Sequence, residues 1–173
     1  MSEILQAIFQ RRSIRQYQER AVEGEKLEQL LQPAMAAPSA GNGRPWEFVV
    51  VTDPATMTQF RQSLKYGNHN APAAIAVCAN LEKASYRNSK AHWVQDCSAA
   101  VENILIAAVG LGLGTVWIGI YPRAARIRRL RQILNLPEHV TPLALVYVGY
   151  PEAPKEPRTQ YDPERVHWER YRS

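Results

Sequence analysis

The chain has few cysteines and no long hydrophobic run. Cys78 and Cys97 are its two cysteines among 173 residues. They are too few for a disulfide framework, and no C-x-x-C or His/Cys cluster predicts zinc. The most apolar stretch, residues 99–113, contains Glu102 and Asn103 and is shorter than the ~20 residues of a membrane span. We therefore expect a cytoplasmic protein with two buried thiols and no membrane partner.

The signatures of secretion and of the common nucleotide-binding folds are also missing. The apolar N-terminal segment, residues 1–10, precedes its arginines, whereas a secretory signal has its positive charge first. No G-x-G-x-x-G follows the first predicted strand, and the chain has no G-x-x-x-x-G-K-[ST]. This argues against a Rossmann dinucleotide fold and a P-loop. A nucleotide held here needs another kind of site.

Positive charge is in excess and comes mostly from arginine, giving a formal net charge of +5. Guanidinium groups bind phosphates through paired hydrogen bonds, so anionic small molecules, nucleotides and nucleic acid are all compatible ligands. One predicted helix carries Arg123, Arg126, Arg128, Arg129 and Arg131. Its apolar stripe is ordinary, which favours a solvent-facing basic surface over nucleic-acid binding. A contact with the 2′-phosphate of NADPH is a second alternative for this helix.

Hydrophobic periodicity predicts one domain over residues 1–173, with no repeat or linker. The predicted helices are 2–9, 23–37, 55–63, 93–111 and 124–134, and the predicted strands are 46–52, 73–79, 115–120 and 143–150. Residues 48–51 are continuously apolar, which predicts a strand buried on both faces. The helix over 93–111 is apolar nearly all round, so its own core or a partner subunit must cover it. The proline-rich segment from about 151 to 173 is expected to be extended.

Segments rich in arginine or glycine carry the candidate binding chemistry: residues 11–15, 38–46 and 112–119, and the tail around Arg158. In the first, three arginines and Ser13 are close enough to surround a phosphate. Small residues in the second and third allow the backbone to approach a flat ligand. Taken singly, each segment is also compatible with a plain surface turn.

The order of these segments resembles the nitroreductase family along nearly the whole chain, and most closely its short members. The order is an Arg-Arg-Ser-x-Arg turn, a Pro-Ser-Ala-Gly-Asn-x-x-Pro-Trp loop, an apolar helix ending in Gly-Leu-Gly, Trp-Ile-Gly, and a late Gly-Tyr-Pro followed by an arginine. The resemblance implies an α+β fold with a mainly antiparallel central sheet flanked by helices. It also implies an intertwined homodimer that holds FMN in clefts at its interface.

The resemblance further implies which residues contact FMN. The expected phosphate ligands are Arg11, Arg12, Ser13 and Arg158. Arg15 is expected at the ribityl chain or the pyrimidine edge of the ring. The expected contacts from the other subunit are Pro38, Ser39, Ala40 and Asn42. The expected contacts along the ring are Val116, Trp117, Ile118 and Gly119, with the Gly119 amide near flavin N5.

Some positions depart from the family pattern. Arg44 stands where glutamine is common, and Gly119 stands where longer relatives have an acidic residue, so only a backbone role carries over to it. A polar contact to the flavin edge has no clear counterpart, and its candidates are Lys65, Asn68, His69 and Asn70. The aromatic candidates for the walls of the site are Tyr66, Trp93, Trp117 and Tyr121.

The implied activity is a ping-pong reaction in which NAD(P)H passes hydride to flavin N5 and a nitroaromatic or quinone then takes the electrons. No side chain acts as a nucleophile and no metal is expected, because the cofactor carries the chemistry. The alternatives are a flavin reductase, a dehalogenase-like or flavin-destroying enzyme of the same fold, a non-catalytic FMN carrier, and the nucleic-acid binder considered above.

Overall fold

The computed structural model describes residues 1–83 and 89–171. Its elements are α1 (Glu3–Gln10), α2 (Gly24–Met35), β1 (Trp46–Val51), α3 (Pro54–Ser63), β2 (Ala73–Asn80), α4 (Ser89–Gly110), β3 (Gly114–Gly119), α5 (Ala124–Leu134) and β4 (Val140–Gly149). The predicted elements are confirmed to within a few residues. The largest differences are that α4 begins four residues before the predicted helix and β4 three residues before the predicted strand. No helix in the described ranges is long and apolar enough to cross a membrane.

The strands form a sheet in the order β1-β2-β4-β3, and every neighbouring pair is antiparallel. This confirms the α+β fold with a mainly antiparallel sheet. Side chains alternate between the two faces of each strand. In β2, Ile75 and Val77 point to one hydrophobic cluster, whereas Ala76 and Cys78 point to the other. The central strands are therefore buried on both faces.

Helices cover both faces of the sheet. Leu30 of α2 and Ile104 of α4 belong to the cluster on one face. Phe60 of α3 and Leu130 of α5 belong to the cluster on the other face. Because β3 is the last strand in the order, one of its edges has no neighbouring strand among the described residues.

The prediction that β1 is buried on both faces is wrong for this chain. Phe48 and Val49 are only partly buried, and Val50 is 38% exposed. The reason is the position of β1 at the opposite edge of the sheet, where the helices cover it incompletely. A short apolar run cannot distinguish a central strand from an edge strand, since both use the same residue types.

Both cysteines are buried within the core, as predicted. Burial raises the pKa of the Cys78 and Cys97 thiols to about 12. The Cys97 thiol donates to the Cys78 carbonyl oxygen over 3.6 Å. Since the thiolate is the reactive form of cysteine, these residues act as small hydrophobic side chains of the core.

Candidate functional site

The N-terminal arginine turn lies along the outer edge of β3. Ser13 forms a parallel bridge with Thr115, and the Ile14 amide donates to the Thr115 carbonyl over 2.8 Å. Gly114 permits this close approach, because a Cβ there would lie 2.7 Å from the Ile14 side chain. The backbone contacts fix the turn relative to the strand.

The C-terminal segment runs back along the same turn. The Arg158 amide donates to the Phe9 carbonyl over 3.1 Å, and Lys155 Nζ donates to the Ser13 carbonyl over 2.8 Å. The Arg12 guanidinium donates to the Glu156 carbonyl. These bonds join segments more than 140 residues apart, so both ends of the chain contribute to one region.

The predicted phosphate ligands are near one another without sharing one cavity. Arg12 lines a cavity of about 390 Å³ against α4, whereas Arg158 lines a neighbouring cavity beside Phe9. Arg11 Nε is 3.7 Å from Glu102 Oε1, and both side chains are partly exposed. An exposed pair of this kind contributes about 0–1 kcal/mol, so it holds Arg11 only weakly.

A separate cleft of about 440 Å³ lies beside the open edge of β3. Its lining residues are Arg15, Lys65, Tyr66, Asn68, His69, Val116, Trp117, Ile118, Gly119 and Arg126. The structure thus brings Arg15 together with all four residues predicted to lie along the flavin ring. Among the residues that the structure describes, the lining holds three cationic side chains and no carboxylate, which favours an anionic ligand.

Backbone groups at alternate residues of β3 point away from β4, toward the open edge of the sheet. The Thr115 carbonyl accepts from Ile14, and the Gly119 carbonyl accepts from Arg126 over 2.7 Å. Because backbone groups of alternate residues point to the same side of a strand, those of Trp117 also face outward. The side chains of Val116 and Ile118 are buried in the core. The edge of β3 therefore presents main-chain donors and acceptors to a ligand.

Gly119 is part of the cleft lining. A Cβ at this position would meet no atom of the described residues within 4 Å, so the space next to Gly119 is open. The open space at Gly119, the backbone edge and the cationic walls together fit a planar, anionic cofactor such as a flavin nucleotide. We infer this fit from the residues that line the cleft.

The loop predicted to act from the other subunit does not line this cleft within the chain. Ser39 Oγ accepts from the Arg44 amide over 3.0 Å, and Asp96 Oδ1 accepts from the Ala40 amide over 2.9 Å. Asn42 and Arg44 both have left-handed backbone, with φ of 54° and 44°. The loop has a defined local shape, and Pro38 is exposed beside it.

The aromatic and loop candidates separate into two groups. Tyr66 and Trp117 line the cleft, whereas Trp93 is buried and packs edge-to-face on Tyr121, with ring centroids 4.7 Å apart. His69 lines the cleft, and burial, followed by the nearby charge of Arg15, lowers its pKa. A neutral His69 leaves the positive charge of the cleft to the arginines and the lysine.

Sequence reasoning missed two residues that shape the region and favoured the wrong surroundings for a third. Asp96 anchors the loop at Ala40, and Lys155 anchors the tail to the arginine turn. Arg126, for which a solvent-facing position was favoured over a phosphate contact, reaches the cleft from α5. For Arg126 a signal was present, since a cation in the first turn of a helix opposes the helix dipole. The other two contacts join distant parts of the chain and leave no local signal.

A sequence model described as the nitroreductase family matches residues 8–74 and 64–150. A protein of Archaeoglobus fulgidus, provisionally named NADH dehydrogenase/NAD(P)H nitroreductase, is 44% identical over 176 aligned residues, covering 99% of this chain and 100% of that protein. A crystal structure from Parabacteroides distasonis with the same provisional name has a TM-score of 0.93 and 38% identity, covering 99% and 100% of the two chains.

A crystal structure of a provisionally assigned nitroreductase from Desulfovibrio desulfuricans, in complex with FMN, has a TM-score of 0.81 and 30% identity. It covers 99% of this chain and 99% of that chain. The matches extend over both the arginine turn and the β3 cleft, and they agree with the resemblance seen in the motifs. The chain belongs to the nitroreductase family.

Proposed function

We propose that this protein, an FMN-dependent NAD(P)H oxidoreductase, reduces nitroaromatic or quinone-type acceptors by a ping-pong reaction. The observation that carries the proposal is the cationic cleft along the open edge of β3. Bound FMN supplies a two-electron carrier that accepts hydride at N5 from NAD(P)H and delivers electrons to the acceptor. The chain's own residues bind and orient the reactants.

In this proposal the edge of β3 holds the flavin ring. The outward amide of Gly119 is the donor near N5, and Arg15 provides positive charge at the ribityl chain or pyrimidine edge. Because no side chain is present at position 119, a reactant can approach that end of the cleft closely. The reaction depends mainly on orienting two flat molecules face to face.

The arginine turn is proposed to bind the phosphate of FMN. Arg11, Arg12 and Ser13 offer charge-assisted hydrogen bonds, and Arg158 joins them from the tail. Phosphate contacts of this kind are stronger than an exposed pair with a carboxylate. Arg11 would therefore exchange its contact with Glu102 for the phosphate.

We expect Arg11→Ala to weaken FMN binding roughly 10- to 150-fold, because a hydrogen bond to a charged group is worth about 1.5–3 kcal/mol. The dissociation constant is measured by titrating flavin fluorescence against the apoprotein. Arg128→Ala is the control, since Arg128 is exposed on α5 and outside the described cavity linings. Equal affinity of Arg11→Ala and wild type would contradict the phosphate role.

We also propose a homodimer, in which residues 38–42 reach the flavin site of the other subunit. Exposed apolar side chains support it: Ile4 and Leu5 on α1, and Trp168 and Tyr171 in the tail. A partner would remove these side chains from water, which is the main driving force of association. Light scattering of the flavin-loaded protein should give twice the chain mass, whereas a loaded monomer would refute the dimer.

Steady-state kinetics test the reaction itself. With the purified, FMN-loaded protein, we expect initial rates at varied NAD(P)H and varied nitroaromatic or quinone to give parallel double-reciprocal lines. Intersecting lines would overturn the ping-pong order.

Anaerobic mixing with NADH and NADPH distinguishes the enzyme from a passive FMN carrier, because the flavin of a carrier would stay oxidised and yellow with both nucleotides. The proposed cytoplasmic location agrees with the two free, buried thiols.

A further inference from the structure

We propose that Arg126 and Lys65, which both lie close to the Tyr66 ring, form an anion-binding subsite that selects aromatic acceptors carrying a carboxylate. The proposal rests on the proposed function, since it names the substrate class of the same cleft. It assigns a specificity role to one arginine of the basic helix α5. The remaining arginines of that helix have different surroundings.

The three side chains form a platform at the cleft. Lys65 Nζ and Arg126 Cζ each lie 5.6 Å from the centroid of the Tyr66 ring. The ring itself is 62% exposed and lines the cleft. An exposed aromatic ring offers stacking area, and the two cations beside it attract negative charge. The platform therefore suits a ligand that is both flat and anionic.

Arg126 is fixed by a hydrogen bond, and its positive charge has no ionic partner among the described residues. One of its Nη groups donates to the Gly119 carbonyl over 2.7 Å, which fixes the guanidinium next to another residue of the cleft lining. Within the described residues, no carboxylate forms an ion pair with Arg126, Lys65 or Arg15. A guanidinium has five N–H donors in a planar fork that matches a carboxylate. A ligand carboxylate would supply the missing negative partner.

The position of Arg126 in α5 is unfavourable for the helix alone. It lies in the first turn, three residues after the N-cap Arg123, and that turn contains no acidic residue. Cations at a helix N-terminus oppose the positive end of the helix dipole. An anion bound there would interact favourably with both the helix end and the arginine.

The other arginines of α5 are accounted for by the fold or by solvent. Arg129 Nε donates to Ser63 Oγ over 2.9 Å. Arg131 donates to the carbonyls of Glu138 and Val140, each over 3.1 Å. Arg128 is exposed and lies outside the cleft lining. Arg126 is thus the arginine of α5 that lines the cleft.

The experiment compares acceptors that differ in charge. Arg126→Gln removes the charge and keeps an amide donor for the Gly119 carbonyl. Lys65→Gln tests the second cation without touching that bond, and Arg128→Gln is the matched control on the same helix. For each protein, kcat/KM is measured with 4-nitrobenzoate and with neutral 4-nitrobenzyl alcohol, using NADH.

We expect the preference for 4-nitrobenzoate over the alcohol to fall about tenfold in Arg126→Gln, since a charge-assisted hydrogen bond is lost. A smaller fall is expected in Lys65→Gln, and none in Arg128→Gln. Binding of benzoate, which is not reduced, is followed separately by its perturbation of flavin absorbance. Its affinity should fall in parallel with the preference.

An unchanged preference and unchanged benzoate affinity in Arg126→Gln would overturn the subsite. NADPH carries the same kind of anionic group in its 2′-phosphate, so NADPH and NADH are compared with the neutral acceptor. A change confined to the NADPH/NADH ratio would overturn the assignment to the acceptor. Failure of the wild type to reduce either nitro compound or any quinone would refute the proposed function instead, with benzoate binding still testing the subsite.

Discussion

Gly119→Leu is expected to abolish flavin binding and all flavin-dependent turnover while the protein remains folded. Gly119 lines the cleft, and a Cβ there would meet no atom of the described residues within 4 Å, so a leucine side chain would extend into open space beside the proposed flavin position. The same open space means that no core contact is lost. The flavin ring and the leucine would then compete for one volume.

The measurements are flavin retention after purification, the FMN dissociation constant and the thermal midpoint. Gly24→Leu is the matched control, because Gly24 also has no atom within 4 Å of an added Cβ and lies at the exposed start of α2. We expect the thermal midpoint of both variants to lie within a few degrees of that of the apo wild type. Substitutions outside the core usually change the free energy of unfolding by no more than about 0.5 kcal/mol, which corresponds to a shift of this size. A Gly119→Leu protein that still binds FMN with wild-type affinity would show that the ring lies elsewhere.

Phe60→Ala is expected to lower the free energy of unfolding by about 3–5 kcal/mol, because removing a buried aromatic leaves a cavity. Phe60 is 0% exposed on α3 and belongs to the cluster that includes Ile118 and Tyr147. The loss is a large fraction of a typical stability of about 5–15 kcal/mol. Since Ile118 belongs to β3, the cleft loses part of its support as well.

Urea unfolding at one fixed protein concentration measures this loss, because dimerisation makes apparent stability concentration-dependent. Gln59→Ala is the control, since Gln59 is the exposed neighbour of Phe60 on the same helix. It should change stability by no more than about 0.5 kcal/mol. A loss below about 1 kcal/mol in Phe60→Ala would contradict the packing of α3 on the sheet, given the usual cost of such truncations.

The cleft combines contributions from several parts of the chain. Arg15 comes from the N-terminal turn, Lys65 and Tyr66 follow α3, and Arg126 comes from α5. Backbone carbonyls of β3 accept from Ile14, which precedes Arg15, and from Arg126. An edge strand has unpaired backbone groups that must find partners. Here the arginine turn bonds to part of the edge, and the remainder is open to a ligand.

Local signals in the sequence determined most of the secondary structure and the family motifs. Asp53, directly before Pro54, accepts from the Thr56 amide at the start of α3. Gly112 has the left-handed φ of 70° that ends α4 before β3. Such signals act within a few residues, because caps and turns satisfy their own backbone groups.

Only the tertiary structure decided which cations line the cleft and which bond to the backbone. Arg12 lies in the arginine turn and Lys155 in the proline-rich tail, and each donates to a main-chain carbonyl of the opposite end of the chain. Arg126 looked like one of several solvent-facing arginines, and the packing of α5 against the sheet brought it to Gly119. The sequence specifies the charge and the hydrogen-bonding groups of a side chain. Its binding partner depends on the packing of segments that are distant in the sequence.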